Sequence, residues 1–290
     1  MIRIRQRRKK QLASIILAAG RSTRMGDPSR AKVCYPVAGS PAIVLAMETY
    51  ARSGINNHIF VVGHHAEQVM RTVAEVPNQQ SYFAFQANAL GTGNAAACGA
   101  ALLRQLSEFD TVLVVAGDKV MQQSAIDRML QKHWETNADL TFLTDMKEKE
   151  PTAGRVIFSD QGAPLASIEQ IDSGKSRLLA RYFGETEQGK GLATSRALTL
   201  AAEMIGPERK VELVLGPLYQ HLKQESELKR PHLTKYFSKD DRLIILPSGR
   251  HMTGAEVEKT SRVNVSTYIF EREALLHVVD RFSRDNAQNE

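Results

Sequence analysis

The sequence predicts an α/β fold: a Rossmann-like open, mostly parallel sheet with helices on both faces, carrying a long, mainly helical insertion. Three observations predict it. From residue 12 to about 145, short β-rich apolar runs alternate with helical stretches, the pattern of parallel βαβ units. Glycines follow the first, third and fourth of those runs, at Gly20, Gly91 to Gly93 and Gly117. Beyond residue 150 the alternation breaks, and about 173–261 reads as helices joined by charged connectors.

The strands are expected at Leu12 to Leu17, His58 to Val62, Ser81 to Gln86, Thr111 to Val115 and Asp139 to Thr144. Helices are expected near 41–52, 65–75, 94–106 and 124–136, the first with Ser40 as N-cap, Pro41 in the first turn and Gly54 just beyond its end. Residues 154–172 read as a hairpin or two short strands. The insertion holds helices at Ser195 to Met204 and Val211 to Lys229. Arg262 to Phe270 reads as a further strand, followed by a helix from about Glu271 to Phe282. Right-handed crossovers wind such units into an open sheet, and ligands bind outside the carboxyl ends of its strands. Residues 1–11 form a basic tail, and 12–290 one domain with its insertion. No internal repeat or low-complexity tract interrupts them.

Composition narrows the function classes. With 290 residues, 42% hydrophobic and 24% charged, the chain has the balance of an ordinary globular protein. Two cysteines, Cys34 and Cys98, form neither a disulfide framework nor a CxxC pair, which points to a reducing cytoplasmic setting. The formal charge of +6 is matched by the six cations Arg3, Arg5, Arg7, Arg8, Lys9 and Lys10, so the remainder is formally neutral. Nucleic acid is therefore not expected as a partner. The tail followed by Leu12 to Ala19 imitates a secretory signal, but cleavage there would sever the first strand from its loop. No apolar run approaches the roughly 20 residues of a membrane span.

The chemistry-bearing residues lie at the predicted strand ends. The first strand runs into Leu17-Ala18-Ala19-Gly20-Arg21-Ser22-Thr23-Arg24-Met25, with Lys32 downstream. Small residues and cations there offer backbone N–H groups and positive charge to a polyphosphate. The spacing is neither GxGxxG nor Walker A. After the third strand, Gln86 and Leu90-Gly91-Thr92-Gly93 precede a helix of small residues. Such glycines let a ligand approach the backbone, and Gln86 can form two hydrogen bonds to a base edge. The fourth strand ends in Gly117-Asp118, where a carboxylate is placed to hold Mg²⁺ against phosphate oxygens. Gly174-Lys175-Ser176 imitates the end of a P-loop, but no apolar strand leads into it. His64-His65 lacks an acidic or cysteine partner at metal-ligand spacing.

These segments resemble the sugar-nucleotide pyrophosphorylase (nucleotidyltransferase) family, whose opening signature is LxxGxGTRM followed by a lysine. Gln86, Leu90 to Gly93 and Gly117-Asp118 resemble the N-terminal uridylyltransferase domain of the bifunctional N-acetylglucosamine-1-phosphate uridylyltransferase/glucosamine-1-phosphate acetyltransferase, and so do Gly154-Arg155, Glu169, Asn264 and the final Asn286-Ala-Gln-Asn-Glu290. The likeness covers roughly residues 12–172 and 262–290. It implies a fold of the nucleotide-diphospho-sugar transferase type and a reaction of UTP with N-acetylglucosamine 1-phosphate. By it, Arg24 and Lys32 are catalytic; Leu17, Ala18, Ala19, Gly20, Gln86, Gly91 and Thr92 bind the nucleotide; Gly154, Glu169 and Asn264 bind the sugar; and Asp118 and Asn286 share Mg²⁺.

The sequence also departs from that pattern. Ser22 replaces the second glycine of the signature, Ala31 a proline, and Lys119-Val120-Met121 an x-Pro-Leu run. The glycine normally two residues after Asn264 is missing, and the insertion exceeds the family's connector. The acetyltransferase β-helix has no counterpart in these residues, which leaves open a single-activity enzyme, a fragment of a bifunctional one, and a homo-oligomer. A cytidylyl- or guanylyltransferase, or a non-catalytic nucleotide-sugar-binding regulatory protein, also remains compatible with the sequence.

Overall fold

The computed structural model describes residues 10–20, 29–88 and 90–281. Along the chain these form β1 (Leu12–Leu17), α1 (Ala42–Arg52), β2 (Asn57–Val62), α2 (Ala66–Ala74), β3 (Gln80–Phe85), α3 (Gly91–Leu103), β4 (Thr111–Ala116), α4 (Gln123–Thr136) and β5 (Leu140–Met146). They continue with β6 (Gly154–Phe158), β7 (Pro164–Ile168), α5 (Gln170–Glu185), α6 (Thr194–Ile205), α7 (Glu208–Leu215), α8 (Pro217–Gln224) and α9 (Arg230–Tyr236). Last come β8 (Leu243–Ile245), β9 (His251–Thr253), α10 (Gly254–Val257), β10 (Arg262–Glu271) and α11 (Arg272–Val279). Two-residue strand pairs join Pro36–Val37 to Ser40–Pro41 and Leu192–Ala193 to Glu227–Leu228. The described residues divide into two compact units, one built on those up to 143 and from 266 onward and the other on 144–265.

The first unit is a mixed, mostly parallel sheet covered by helices. Its strands run β3-β2-β1-β4 in parallel, and the Thr267–Glu271 part of β10 lies antiparallel to β4. Ala13 to Ile16, Ile59 to Val62 and Val112 to Val115 are all buried, as expected of parallel strands covered on both faces. One core contains Ile43, Met47 and Tyr50 of α1 with Leu130 of α4; the other contains Ala95, Ala96 and Ala100 of α3. The small face of α3 lets it lie close to the sheet, since a Cβ on Gly99 would stand 2.6 Å from Ile15 Cγ2.

Helix α1 starts one residue later than the sequence suggests. Pro41 is the N-cap, while Ser40 and Pro41 pair with the preceding strand fragment instead of opening the helix. Gly54 follows the helix with φ +84°, the left-handed conformation that glycine adopts without a Cβ clash.

His58 of β2 is fully buried beneath the sheet, accepting from Ser14 Oγ at 2.7 Å and donating through Nε2 to Gln79 at 2.5 Å. Burial disfavours the imidazolium and lowers the His58 pKa to about 4, only partly opposed by the Gln79 hydrogen bond. In the unfolded chain this histidine takes up a proton near pH 6.5, so stability is complete above that pH and declines as pH falls toward 4. The expected loss is about 3 kcal/mol, from 2.5 pKa units at 1.36 kcal/mol each. Urea denaturation at pH 7 and pH 4.5 should show the decline, and His58→Gln should flatten it; an equally steep decline in that variant would assign it to other groups.

The second unit contains the β6–β7 hairpin, whose first strand pairs with Val263 and Asn264 of β10. Its helical core gathers Leu178, Leu179, Tyr182 and Phe183 of α5 with Leu200 and Ala201 of α6 and Leu218 and Leu222 of α8. Two features differ from the sequence reading. A 16-residue helix, α5, begins at Gln170 where a hairpin and connector are expected. The single helix expected over Val211 to Lys229 is broken at Gly216, which has φ +52°, and resumes at Pro217 as α8. Proline fits that restart because a first-turn residue needs no intrahelical N–H.

Candidate functional site

In the first unit the ends of β1 and β4 are drawn together by a glycine. Gly117 N–H donates to Leu17 O at 2.9 Å, and a Cβ at this position would stand 2.9 Å from Val33 Cγ1 and 3.1 Å from that carbonyl oxygen. The next residue, Asp118, thereby reaches the Lys32 ammonium, and the two form an ion pair. Lys32 opens a one-turn 3₁₀ segment, Lys32–Cys34, whose Val33 and Cys34 are buried. That turn is fastened on α2: Gln68 accepts from Ala31 N–H at 2.6 Å, and Cys34 Sγ lies 3.5 Å from Thr72 Oγ1. The predicted catalytic cation and the predicted metal-binding carboxylate are thus brought together by anchored backbone.

Tyr50 lies beneath this corner and donates to Lys119 O at 3.2 Å. Burial, and then the neighbouring Asp118 charge, push its phenol pKa upward, so it remains a protonated donor that holds the turn after Asp118.

Leu17 ends β1 and Ala18, Ala19 and Gly20 follow it, with Ala18 N–H donating to Val61 O at 2.8 Å. Ala18 and Ala19 are buried and Gly20 is exposed. Gly63, which the sequence reading passes over, makes room for them. A Cβ there would stand 3.0 Å from both Cβ and O of Ala19. The available signal was a glycine directly after the second apolar strand.

At the end of β3, Gln86 is 7% exposed. Its Nε2 donates to Asn94 Oδ1 at 2.8 Å and to Gly91 O at 3.3 Å, tying the strand end to the first turn of α3. Gly91 and Thr92 are the first residues of α3 rather than a loop before it, and Gly91 has φ +90°. The amide nitrogen of Gln86 is therefore engaged within the chain, and Oε1 is the atom left to accept from a ligand.

The second unit gathers the three predicted sugar-binding residues. Asn264 is in register with Gly154, and its Nδ2 donates to Ser167 Oγ at 3.2 Å. A Cβ on Gly154 would stand 3.1 Å from Glu169 Oε1 and 3.2 Å from Ser167 Oγ, so glycine is what admits the carboxylate to this corner. Ser167 is a member of the group that the sequence reading missed. Arg155, 4% exposed, fixes the adjacent strand by donating to Glu258 at 2.9 and 3.1 Å. Two residues beyond Asn264, Ser266 occupies φ +54°, a conformation natural to the glycine whose absence the sequence comparison noted.

Arg24 and Asn286 lie outside the described residues, as do residues 1–9 of the basic tail. Among the described residues no group of three or more His, Cys, Asp or Glu is placed to hold a metal ion. Asp118 nevertheless suits Mg²⁺: its carboxylate offers hard oxygen donors, and Mg²⁺ is commonly held by one or two carboxylates together with substrate phosphates. His64 and His65 meet edge to face, with ring centroids 4.5 Å apart and planes inclined at 66°. Cys34 and Cys98 are free, and no described helix is long and apolar enough to cross a membrane.

The chain is 31% identical over 193 residues to the bifunctional protein GlmU of Syntrophotalea carbinolica, covering 62% of this chain and 40% of that one. It is 28% identical over 253 residues to GlmU of Bacillus cereus, covering 87% and 52%. The chain thus spans about half the length, or less, of the curated relatives it matches. A Bacillus anthracis crystal structure, provisionally assigned as a glucose-1-phosphate thymidylyltransferase and solved with sucrose, shares the fold. That likeness has a TM-score of 0.54 at 12% identity over 93% of this chain and 76% of the other. Residues 14–187 match the model of the MobA-like NTP transferase domain, and the chain belongs to that family of nucleotidyltransferases.

Proposed function

We propose that the protein is a UTP-dependent sugar-1-phosphate uridylyltransferase, converting UTP and N-acetylglucosamine 1-phosphate to UDP-N-acetylglucosamine and pyrophosphate. The observation that carries the reading is the Lys32–Asp118 pair at the joined ends of β1 and β4, a cation and a carboxylate set where phosphate and metal chemistry need them. Resemblance to the GlmU proteins supports the choice of substrates. The proposed organisation is a basic tail at 1–11 and a nucleotidyltransferase domain at 12–290 with its insertion at about 173–261, in a cytoplasmic setting.

The chemistry is an in-line attack by the sugar phosphate oxygen on the α-phosphorus of UTP. One P–O bond forms as the bond to the departing pyrophosphate breaks. Lys32 and Arg24 offset the repulsion between two anionic reactants and neutralise charge on the leaving group. Mg²⁺ held by Asp118 and Asn286 would supply further charge neutralisation at the phosphates. Gln86 Oε1 offers an acceptor to the imide N–H of uracil, while the backbone at Leu17 to Gly20 and at Gly91 and Thr92 takes the remainder of the nucleotide. Glu169 and Asn264 supply hydrogen-bonding groups for the sugar.

The reading is tested by comparing UTP, CTP and GTP as competitors for one labelled nucleotide. UTP should displace it at the lowest concentration, whereas preferential displacement by CTP or GTP would replace the uridylyl assignment with another nucleotidyltransferase. The sugar half has its own test. Gly154→Ala pushes the new methyl toward Glu169 and Ser167, and should raise KM for the sugar phosphate roughly ten-fold or more, the worth of one hydrogen bond to a charged group. KM for UTP should stay unchanged; a parallel rise in both would remove Gly154 from the sugar site.

A further inference from the structure

Strand β3 is the outer strand of its sheet: it pairs with β2 on one side, and among the described residues no strand lies beyond it. Gln80 N–H donates to Asn56 O at 2.8 Å and Gln86 N–H to Val62 O at 2.9 Å, so the even-numbered residues turn their backbone groups toward β2. The alternation of a parallel ladder then turns the N–H and C=O of Ser81, Phe83 and Phe85 outward. Native edges are commonly blunted by a lysine, a proline or a bulge. Here Gln80 to Gln86 contains no charge, proline or glycine, and the register with β2 is unbroken from Gln80 to Phe85.

Apolar surface flanks this edge. Phe83 stacks on Phe60 with ring centroids 5.6 Å apart, on the face that Val69 and Val73 of α2 cover. Phe85, two residues on, shares that face of the strand and is 65% exposed. Met70 of α2, 40% exposed, is on the side of the helix away from Gln68 and Thr72, which are engaged with the Lys32 turn.

The edge is complementary to itself. Against an antiparallel copy centred on Phe83, each Phe83 faces the partner's Phe83 and each Ser81 faces the partner's Phe85, so every outward N–H and C=O of these residues gains a partner. The other opposed pairs, Gln80 with the partner's Gln86 and Tyr82 with the partner's Ala84, are uncharged, so no like charges meet. The phenylalanines of both copies come onto one face, in opposed and diagonal positions where aromatic side chains attract. Such a contact is two-fold symmetric and closes on itself.

We propose that the open edge of β3 is a dimer interface, pairing antiparallel with β3 of a second copy of this chain to make one sheet continuous through both. The interface does not depend on the uridylyl reading.

The test is sedimentation equilibrium of the full chain over a range of concentrations, with a melting curve for each variant. The parent should reach twice the monomer mass. Ser81→Lys combined with Phe85→Lys sets like charges directly opposite each other in both outer pairs, and should raise the dissociation constant about ten-fold or more. Ser81→Glu combined with Phe85→Lys makes those pairs opposite in charge, and should dimerise more tightly than the two-lysine variant by about the same factor. That recovery is specific to the register, because the paired positions lie on different molecules. Phe85→Lys alone, at an exposed position, should weaken the dimer and decides the matter if a double variant fails to fold. A monomer at every concentration, a dissociation constant unchanged in the two-lysine or the Phe85→Lys protein, or equal constants in the two double variants would overturn the proposal.

Discussion

Replacing Lys32 by alanine, or Asp118 by asparagine, lowers the rate of pyrophosphate release on the order of 100- to 1,000-fold, the common cost of removing one preorganised charge from a transition-state site. Thermal stability should hardly change in either variant. Their ion pair is substantially solvent-exposed, with side-chain exposures of 51% and 29%, and such pairs contribute about 1 kcal/mol at most. The division between a large kinetic effect and a small thermodynamic one is what separates a chemical role from a structural one. The check is steady-state turnover beside a melting curve for each variant. Retention of more than about a tenth of the rate would remove the residue from the chemistry.

Gly174→Ala should destabilise the second unit by about 3 kcal/mol, the upper part of the usual range for overpacking. In a free helix this substitution gains about 1 kcal/mol, because alanine loses less backbone entropy than glycine. Here the added Cβ would stand 2.4 Å from the backbone carbonyl oxygen of Met204. That carbonyl, in the last turn of α6, is backbone and cannot swing aside as the far end of a flexible side chain would, so the clash outweighs the helix gain. Denaturant unfolding of the variant against the parent measures the net effect. Unchanged or raised stability would show that α5 and α6 can separate at little cost. The same contact explains the P-loop imitation at Gly174-Lys175-Ser176: the glycine serves helix packing, and Ser176 Oγ donates to Arg242 O and accepts from Gly254 N–H at 2.7 Å.

The first unit was legible because its central strands are largely apolar runs bounded by polar turns. The Leu12–Leu17 strand is found with the boundaries its sequence suggests, and Gly54 falls just past its helix. Helix α5 was hidden by composition. Ser173, Gly174, Ser176 and Gly184 dilute the apolar spacing of Leu178, Leu179, Tyr182 and Phe183, and small polar residues read more readily as a connector. The break before α8 was readable in Gly216-Pro217, a glycine stop followed by a first-turn proline.

Within the candidate site, what could be read was what lies at strand ends: Gly20, Gln86 and Asp118 are each named by a loop that follows an apolar run. What could not be read is spacing through space. Arg155 and Glu258 are 103 residues apart in the chain, and the Asn264–Ser167 hydrogen bond spans 97. Neither pair leaves a local pattern. Gly63 shows the intermediate case, a glycine in the expected place whose reason, the close approach of Ala19, appears only in three dimensions.

The most direct measurement is pyrophosphate release from UTP, Mg²⁺ and N-acetylglucosamine 1-phosphate, run beside other nucleotides and sugar phosphates and repeated with Asp118→Asn. The account predicts release fastest in that mixture and nearly abolished in the variant. No release from any combination, with UTP or UDP-sugar still bound, would contradict it and make the protein a nucleotide-sugar-binding regulator.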